Sequence, residues 1–326
     1  MNLKGLYEKA VAVGMESDPR GPEAARAMLS RNRKEFEGQK DAERPYFDPE
    51  RLGNPYDDTR ILNGPVDREL KSIMVGIDIG EGELVLADRL REKGQRVDAV
   101  IGHHPHGLAL AGLPFIMAIQ PGIYAAAGVP IGQAEGALEA RIKEVASRVS
   151  PVNQQRSADA ARLLGIPFAC FHTVADNCVA SHLTGLFRKE APKTLADLLD
   201  LLHAIPEYDL ARRQRSGPEI VCGSRSSTTG KILVEMTGGT EGASQMYAKL
   251  ARSTDVSTLV GMHFSKEHLD AAKAENLNVV IAGHISSDNL GLNLLFDACF
   301  GTKVEVIEAS GFRRFPRTGV RGKKVR

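Results

Sequence analysis

Hydrophobic and polar positions along the chain change their rhythm near residue 70. Residues 1–70 are mostly polar, with helical spacing at about 4–13 and 21–36. The turn-rich stretch 44-RPYFDPERLGNPYDDTRILNGP-65 follows and is expected to lie as a loop across the main body. Short buried-strand patterns then alternate with amphipathic helices. The run 72-SIMVGID-78 reads as a strand, 81-EGELVLADRLREKG-94 as a helix closed by Gly94, and 98-DAVIGH-103 as the next strand. That order is a βαβ unit, so the two strands should be parallel. Residues 121–165 are helix-forming, with a break near 150-SPVNQ-154, and 166-IPFACFH-172 is another strand. Helices are expected at about 175–189 and 194–204. The runs 219-EIVCG-223 and 230-GKILVEM-236 read as two strands across a Ser/Thr-rich turn. A Gly-rich turn, 237-TGGTEGAS-244, leads into a helix ending near 252. Strands at 257-STLVGMH-263, 278-NVVIAGH-284 and 303-KVEVIEA-309 then alternate with helices at 265–276 and 286–300. The pattern predicts an α/β protein of two halves, with mostly parallel strands and flanking helices. It divides into an N-terminal helical and irregular extension over 1–70, a first half over 71–190 with a helical insertion at 121–165, and a second half over 191–326. The basic tail, RRFPRTGVRGKKVR, is expected to fray.

Composition narrows the picture. The 42 Lys+Arg and 41 Asp+Glu leave a formal charge of +1, which gives no reason to expect a nucleic-acid or membrane-surface partner. No stretch is read as approaching the roughly 20 apolar residues that span a bilayer, and the N-terminus lacks the pattern of a signal peptide. Cys170, Cys178, Cys222 and Cys299 form no C-x-x-C pair and read as small buried hydrophobes in a reducing compartment, so a cytoplasmic protein is expected.

The histidines carry the chemistry. There are nine, and three of them, His103, His104 and His106, fall within four residues at the end of one strand. His172 ends a second strand with Asp176 four residues on, His263 ends a third, and His284 ends a fourth with Asp288 four residues on. Ligands of open α/β sheets bind outside the carboxyl ends of parallel strands. Neutral imidazole and carboxylate both bind Zn, Mn, Fe or Ni. Five or more such groups exceed the need of one tetrahedral ion, which leaves room for two. Adjacent strand residues point to opposite faces, so His103 and His104 converge only if the chain turns, and Pro105 forces that turn. Asp288 has a competing reading as a charge near a helix start, with Ser286 or Ser287 as the cap. His106 is placed at the surface or behind the ligands, and His182, His203 and His268 are read as ordinary helix residues. In the turn at 237–244, Gly238, Gly239 and Gly242 are candidates for holding a phosphate on free backbone N–H groups; a tight turn is the competing reading.

These residues, His103-His104-Pro105, then His172-Thr173-x-x-Asp176, then Gly283-His284-x-x-x-Asp288, resemble the NIF-three-like family, whose members are often labelled GTP cyclohydrolase 1 type 2 homologue. The similarity extends to 75–105 and 238–250 and covers roughly 70–288 in separated blocks. It implies a two-part α/β protein binding a pair of divalent ions in the cleft between its halves, and a homo-oligomer, commonly a hexamer. Carried over by position, the ligands are His103, His104, Asp176, His284 and Asp288, with His172 beside them. The family usually has Glu where this chain has Asp288; Asp is one methylene shorter, so it either reaches only one of two ions or its helix sits closer. The long spacing between the first two motifs holds the 121–165 insertion. The expected function is a dinuclear metal-dependent hydrolase of a small, nucleotide-like and phosphate-bearing substrate, cleaving a C–N or phosphoester bond, with His172 or His263 moving protons. The alternative is a non-enzymatic metal carrier or regulatory scaffold. An amidohydrolase barrel using 104-HPH-106 needs eight βα units; fewer are counted here, and 219–236 reads as a hairpin.

Overall fold

The computed structural model describes residues 1–317. Helices α1 (Leu3–Glu16) and α2 (Pro22–Gly38) lead to strand β1 (Thr59–Asn63), then β2 (Ser72–Gly76), α3 (Glu81–Glu92) and β3 (Ala99–Gly102). Four helices follow: α4 (Gly107–Ile116), α5 (Gln120–Ala127), α6 (Ile131–Val149) and α7 (Arg156–Leu163). Then come β4 (Phe168–Phe171), α8 (Thr173–Glu190), α9 (Leu195–His203), α10 (Pro206–Arg213), β5 (Glu219–Cys222) and β6 (Lys231–Glu235). The chain ends with α11 (Met246–Ser253), β7 (Val256–Gly261), α12 (Lys266–Ala274), β8 (Asn278–Ile281), α13 (His284–Cys299) and β9 (Glu305–Glu308).

The strands form two sheets, ordered β1-β4-β3-β2-β9 and β5-β8-β7-β6. Among the strands of the described residues only β1 on β4 and β5 on β8 pair antiparallel, and β1 and β5 are edge strands. The two sheets sandwich α8 and α13. Both helices are apolar on opposite faces, as a helix buried between two layers must be. Val174, Ala175 and Cys178 of α8, with Leu292, Leu295 and Phe296 of α13, join Ile73, Val75, Ile101, Ala169 and Phe171 of the first sheet. Val179, Ala180 and Leu183 of α8, with Leu290 of α13, join Val234, Val260 and Val280 of the second. The alternate strand residues Met74, Val100, Phe168 and Cys170 point outward to α3 and α7, as the period of two demands.

Several expectations are corrected. The strands at 219–236 are no hairpin: β5 and β6 lie at opposite edges of their sheet. The more apolar β7 and β8 take the buried centre, which leaves the partly exposed β5 and β6 outside. The extension contains β1, within the stretch read as a loop, and β9 returns to the first sheet, so the sheets do not follow a single cut of the chain near residue 191. The insertion is helical, but Tyr124, Ala127, Ala134 and Leu138 from it pack into the core of the second sheet. One helical run, Gly107–Ala127, is long and apolar enough by length and composition to cross a bilayer. Half of it is buried inside the fold, and Pro114 and Pro121 interrupt it. The start of the basic tail is fixed rather than frayed: Arg314 pairs with Asp297 and Arg317 with buried Glu207. The rest of the tail, 318–326, lies outside the described residues.

The central helices cross closely. A Cβ on Gly291 of α13 would stand 2.6 Å from the carbonyl oxygen of Ala175 on α8, next to Asp176. Backbone cannot yield as a side chain does, so Gly291→Ala should destabilise the protein by about 1–3 kcal/mol in denaturant unfolding. An unchanged midpoint would show that the helices have slack at this crossing.

Candidate metal centre and cleft

The strand exits of both sheets and the first turns of α8 and α13 meet at one point. After β3, the N–H groups of His103 and His104 both donate to the Ile77 carbonyl, which turns the chain and brings the two rings to one side. Their centroids lie 5.3 Å apart. His172 precedes α8, and Asp176 lies one turn inside it. His284 is the first residue of α13, and Asp288 lies one turn on.

Each of three imidazoles is fixed through Nδ1. His103 Nδ1 lies 3.0 Å from the Phe171 carbonyl oxygen, His104 Nδ1 2.6 Å from Asp78 Oδ1, and His172 Nδ1 2.7 Å from Asp58 Oδ2. A carbonyl can only accept, so Nδ1 of His103 carries a proton, and Nε2 is left facing inward; when the ring is neutral that nitrogen is a bare lone pair, and a carboxylate partner favours the same tautomer for the other two. The inward groups are carboxylates. His103 Nε2 is 3.4 Å from both Asp176 Oδ1 and Asp288 Oδ1. The other Asp288 oxygen, Oδ2, is 3.4 Å from His104 Nε2 and 3.6 Å from His284 Nε2. His103 Nε2, Asp176 Oδ1 and both Asp288 oxygens are buried without a hydrogen-bond partner.

Acceptors facing acceptors in a buried site require a cation. Without a metal, a proton serves. Burial alone would lower the His103 imidazole, but Asp288 and Asp176 outweigh it and hold it well above its usual value. Burial would likewise raise Asp288, yet the His103, His104 and His284 rings hold it well below the usual carboxylate range. Two sets have ligand atoms within 4.8 Å of one another, His103–His104–Asp288 and His103–His172–Asp176, so the buried cluster can hold a metal ion. Neither Ser286 nor Ser287 caps the helix: Gly283 stands at the N-cap without a side-chain cap bond, and both serines donate back to the Gly283 carbonyl.

The cluster opens into a cleft of about 340 Å³. His104 and the half-exposed His284 face it from one side. His263 stands across, its ring 4.8 Å from that of His284. The Glu241 carboxylate, 3.5 Å from His263 Nδ1, raises the His263 imidazole. His268 is more than an ordinary helix residue: it is buried along the cleft, bonded to Ser265 and the Gly242 carbonyl. His106 stays out of the cluster, at the start of α4 beside Phe168.

The Gly-rich turn does not lead straight into a helix, since α11 begins only at Met246. Its glycines admit the side chains of α4 and of the start of α5. A Cβ on Gly238 would stand 2.7 Å from Gln120 Cγ, one on Gly239 2.7 Å from Ile116 Cγ2, and one on Gly242 2.8 Å from Gln120 Oε1. Close packing accounts for them without an anion.

Sequence reasoning missed Asp58, Asp78, Glu235 and Glu241. Asp78 and Glu235 stand at or just past the ends of parallel strands, β2 and β6, where the rule applied to the histidines would have found them. Asp58 lies in a stretch read as loop. Glu235 lines the cleft, and its two oxygens accept from Tyr124 Oη at 2.8 Å and Tyr247 Oη at 3.0 Å.

No family model matches the sequence, and no curated protein does. Solved structures do. A NIF3 superfamily protein from Sphaerobacter thermophilus is 27% identical with a TM-score of 0.68, over 78% of this chain and 92% of that one. Reduced HcgD from Methanocaldococcus jannaschii is 16% identical with a TM-score of 0.44, over 81% and 93%. TTHA1606 from Thermus thermophilus is 17% identical with a TM-score of 0.42, over 78% and 89%. The likeness to the Sphaerobacter protein carries the fold.

Glu235 makes stability depend on pH. Burial pushes its carboxyl from 4.5 up to about 7, against the two tyrosine hydrogen bonds. The folded state therefore holds this proton more tightly than the unfolded chain. Its contribution is full below about pH 4.5 and is lost as pH rises through about 7. Glu235→Gln removes the dependence. Melting of chelator-treated protein should show the variant gaining on wild type between pH 5 and pH 8; a constant difference would place the carboxyl at its ordinary value.

Proposed function

This chain is a NIF3-like protein, and on that premise we propose that its cleft is a two-ion hydrolytic centre acting on a small, nitrogen-rich, nucleotide-like molecule. The observation that supports it most is the division of Asp288. One oxygen turns to His103, which also faces Asp176, the other to His104 and His284, and neither has a hydrogen-bond partner. Aspartate is short, but α13 sits close enough for its carboxylate to face both sets. The residues that would hold the ions are His103, Asp176 and His172 on one side and His104 and His284 on the other, with the Asp288 carboxylate between them. The donors are imidazole and carboxylate without thiolate, a set suited to Zn, Mn, Fe or Ni. A pair of divalent ions held there supplies Lewis acidity and brings the pKa of coordinated water toward neutrality.

The chain's own residues do the rest. Asp58 and Asp78 hold His172 and His104 in the tautomer and orientation a ligand needs. Glu241 holds His263 by Nδ1, leaving Nε2 to move a proton to the departing nitrogen or oxygen. Leu113, Ile123, Met262 and Phe264 form the apolar wall that limits water. Between the two bond types expected, C–N fits better. Among the described residues no Lys or Arg lines the cleft, while Glu235, Glu241, Asp176 and Asp288 do. A phosphate would find no ammonium or guanidinium group there.

The test is hydrolysis by metal-reconstituted protein of GTP and guanosine, followed by loss of purine absorbance, with bis(p-nitrophenyl) phosphate as the phosphoester comparison. Turnover of a purine should disappear with chelator and fall by about 10²–10⁴ in His263→Gln at unchanged metal content. A full metal complement without turnover of any of the three would favour the carrier reading instead.

A further inference from the structure

The cleft has a second polar end that the metal cluster does not use. Glu235 closes β6 and is approached by Tyr124 from α5 and Tyr247 from α11, each phenol donating to a different carboxylate oxygen. No cationic side chain pairs with it among the described residues. A carboxylate offers about four lone-pair sites, so two remain, and Glu235 keeps its exposure through the cleft. Beside it lies Gln120, only 4% exposed. Its Nε2 donates to the carbonyls of Gly238 and Thr240, both at 2.7 Å, which orients the amide. Its Oε1 is buried with no partner at all. Gln120 Oε1 and Tyr124 Oη face the same point next to Gly242, 2.8 Å and 3.2 Å from where a Cβ would be, so only glycine keeps that space free. This end of the cleft therefore presents two acceptors with capacity to spare, the Glu235 carboxylate and Gln120 Oε1, the complement of a group rich in N–H.

We propose that Glu235, oriented by Tyr124 and Tyr247 and flanked by Gln120 Oε1, is the recognition site for an amidine- or guanidine-like N–H edge on the ligand of this cleft. The inference rests on the hydrolase reading only in placing the reactive end of the same molecule at the metal cluster; the recognition chemistry stands on the acceptors alone. Two parallel N–H groups match a carboxylate in bidentate fashion. Leu113, Ile123, Met262 and Phe264 give the apolar wall a flat heterocycle would lie against. An analogue with a carbonyl in place of one N–H group sets oxygen against carboxylate, and buried polar groups left unpaired in this way are the strongest basis for rejection.

The probe is benzamidine, with benzamide as its neutral counterpart, titrated calorimetrically at pH 8 into metal-loaded protein, in which Asp176 and Asp288 are already engaged. Benzamidine should bind one per chain and at least tenfold more tightly than benzamide. Glu235→Gln should abolish that preference at unchanged metal content. Tyr247→Phe, which leaves the carboxylate in place, should retain it. Equal binding of the two probes to wild type, or a preference that survives Glu235→Gln, would overturn the proposal. Repeating the titration on chelator-treated protein separates the two readings. A Glu235-dependent preference in a protein that takes up no metal would leave the recognition site standing and the hydrolase reading fallen. Metal and turnover without the preference would do the reverse.

Discussion

The structure is organised around a point where acceptors face one another with nothing to donate. Three imidazoles have Nδ1 engaged by Phe171 O, Asp78 and Asp58, so each turns Nε2 inward. What they meet are the carboxylates of Asp176 and Asp288, whose inward oxygens are buried and unpartnered. A natural core does not keep such an arrangement for stability, because buried like charges without a counterion are costly. It persists because the surrounding fold is stable enough to hold it, and it is an arrangement that a cation can complete.

The layered fold supplies that stability. α8 and α13 are apolar on both faces and are gripped by a sheet on each side. Their N-terminal turns, which carry Asp176 and Asp288, therefore cannot swing away from the strand exits that carry His103, His104 and His172. Gly291 lets the two helices approach until Asp288 stands between both histidine sets. The insertion adds a different element. By packing into the core of the second sheet, α5 and α6 close one side of the cleft and bring Gln120 and Tyr124 to it. The His/Asp end and the Glu235 end are thus built from different parts of the chain and meet across one cavity.

The parallel strands were legible because each is a short apolar run ending in a chemically distinctive residue, and β3, β4 and β8 could be placed from His103, His172 and His284. Convergence of these residues was read from their places at the carboxyl ends of parallel strands and from the family resemblance. The partners that orient the ligands were not legible. Asp58 lies 114 positions before His172, ahead of an edge strand too short to show a period. Tyr124 and Glu235 are 111 positions apart, and nothing local marks either as the other's partner. The hairpin at 219–236 was misread for the opposite reason: two strands adjacent in sequence suggest pairing, whereas burial of β7 and β8 decides the order. α4 escaped notice because GLALAGLPFI, with its glycines and proline, has neither a polar face nor good helix formers throughout. The glycines of 237–244 carried a true signal of close approach, but what approaches is Gln120 and Ile116.

The division of Asp288 between two histidine sets is the central claim, and metal stoichiometry addresses it most directly. Untagged protein would be reconstituted with excess zinc, desalted, and its metal content per chain determined by mass spectrometry beside Asp288→Asn. The account predicts about two ions in wild type and at most one in the variant. No bound metal in wild type, or two ions retained after Asp288→Asn, would contradict it.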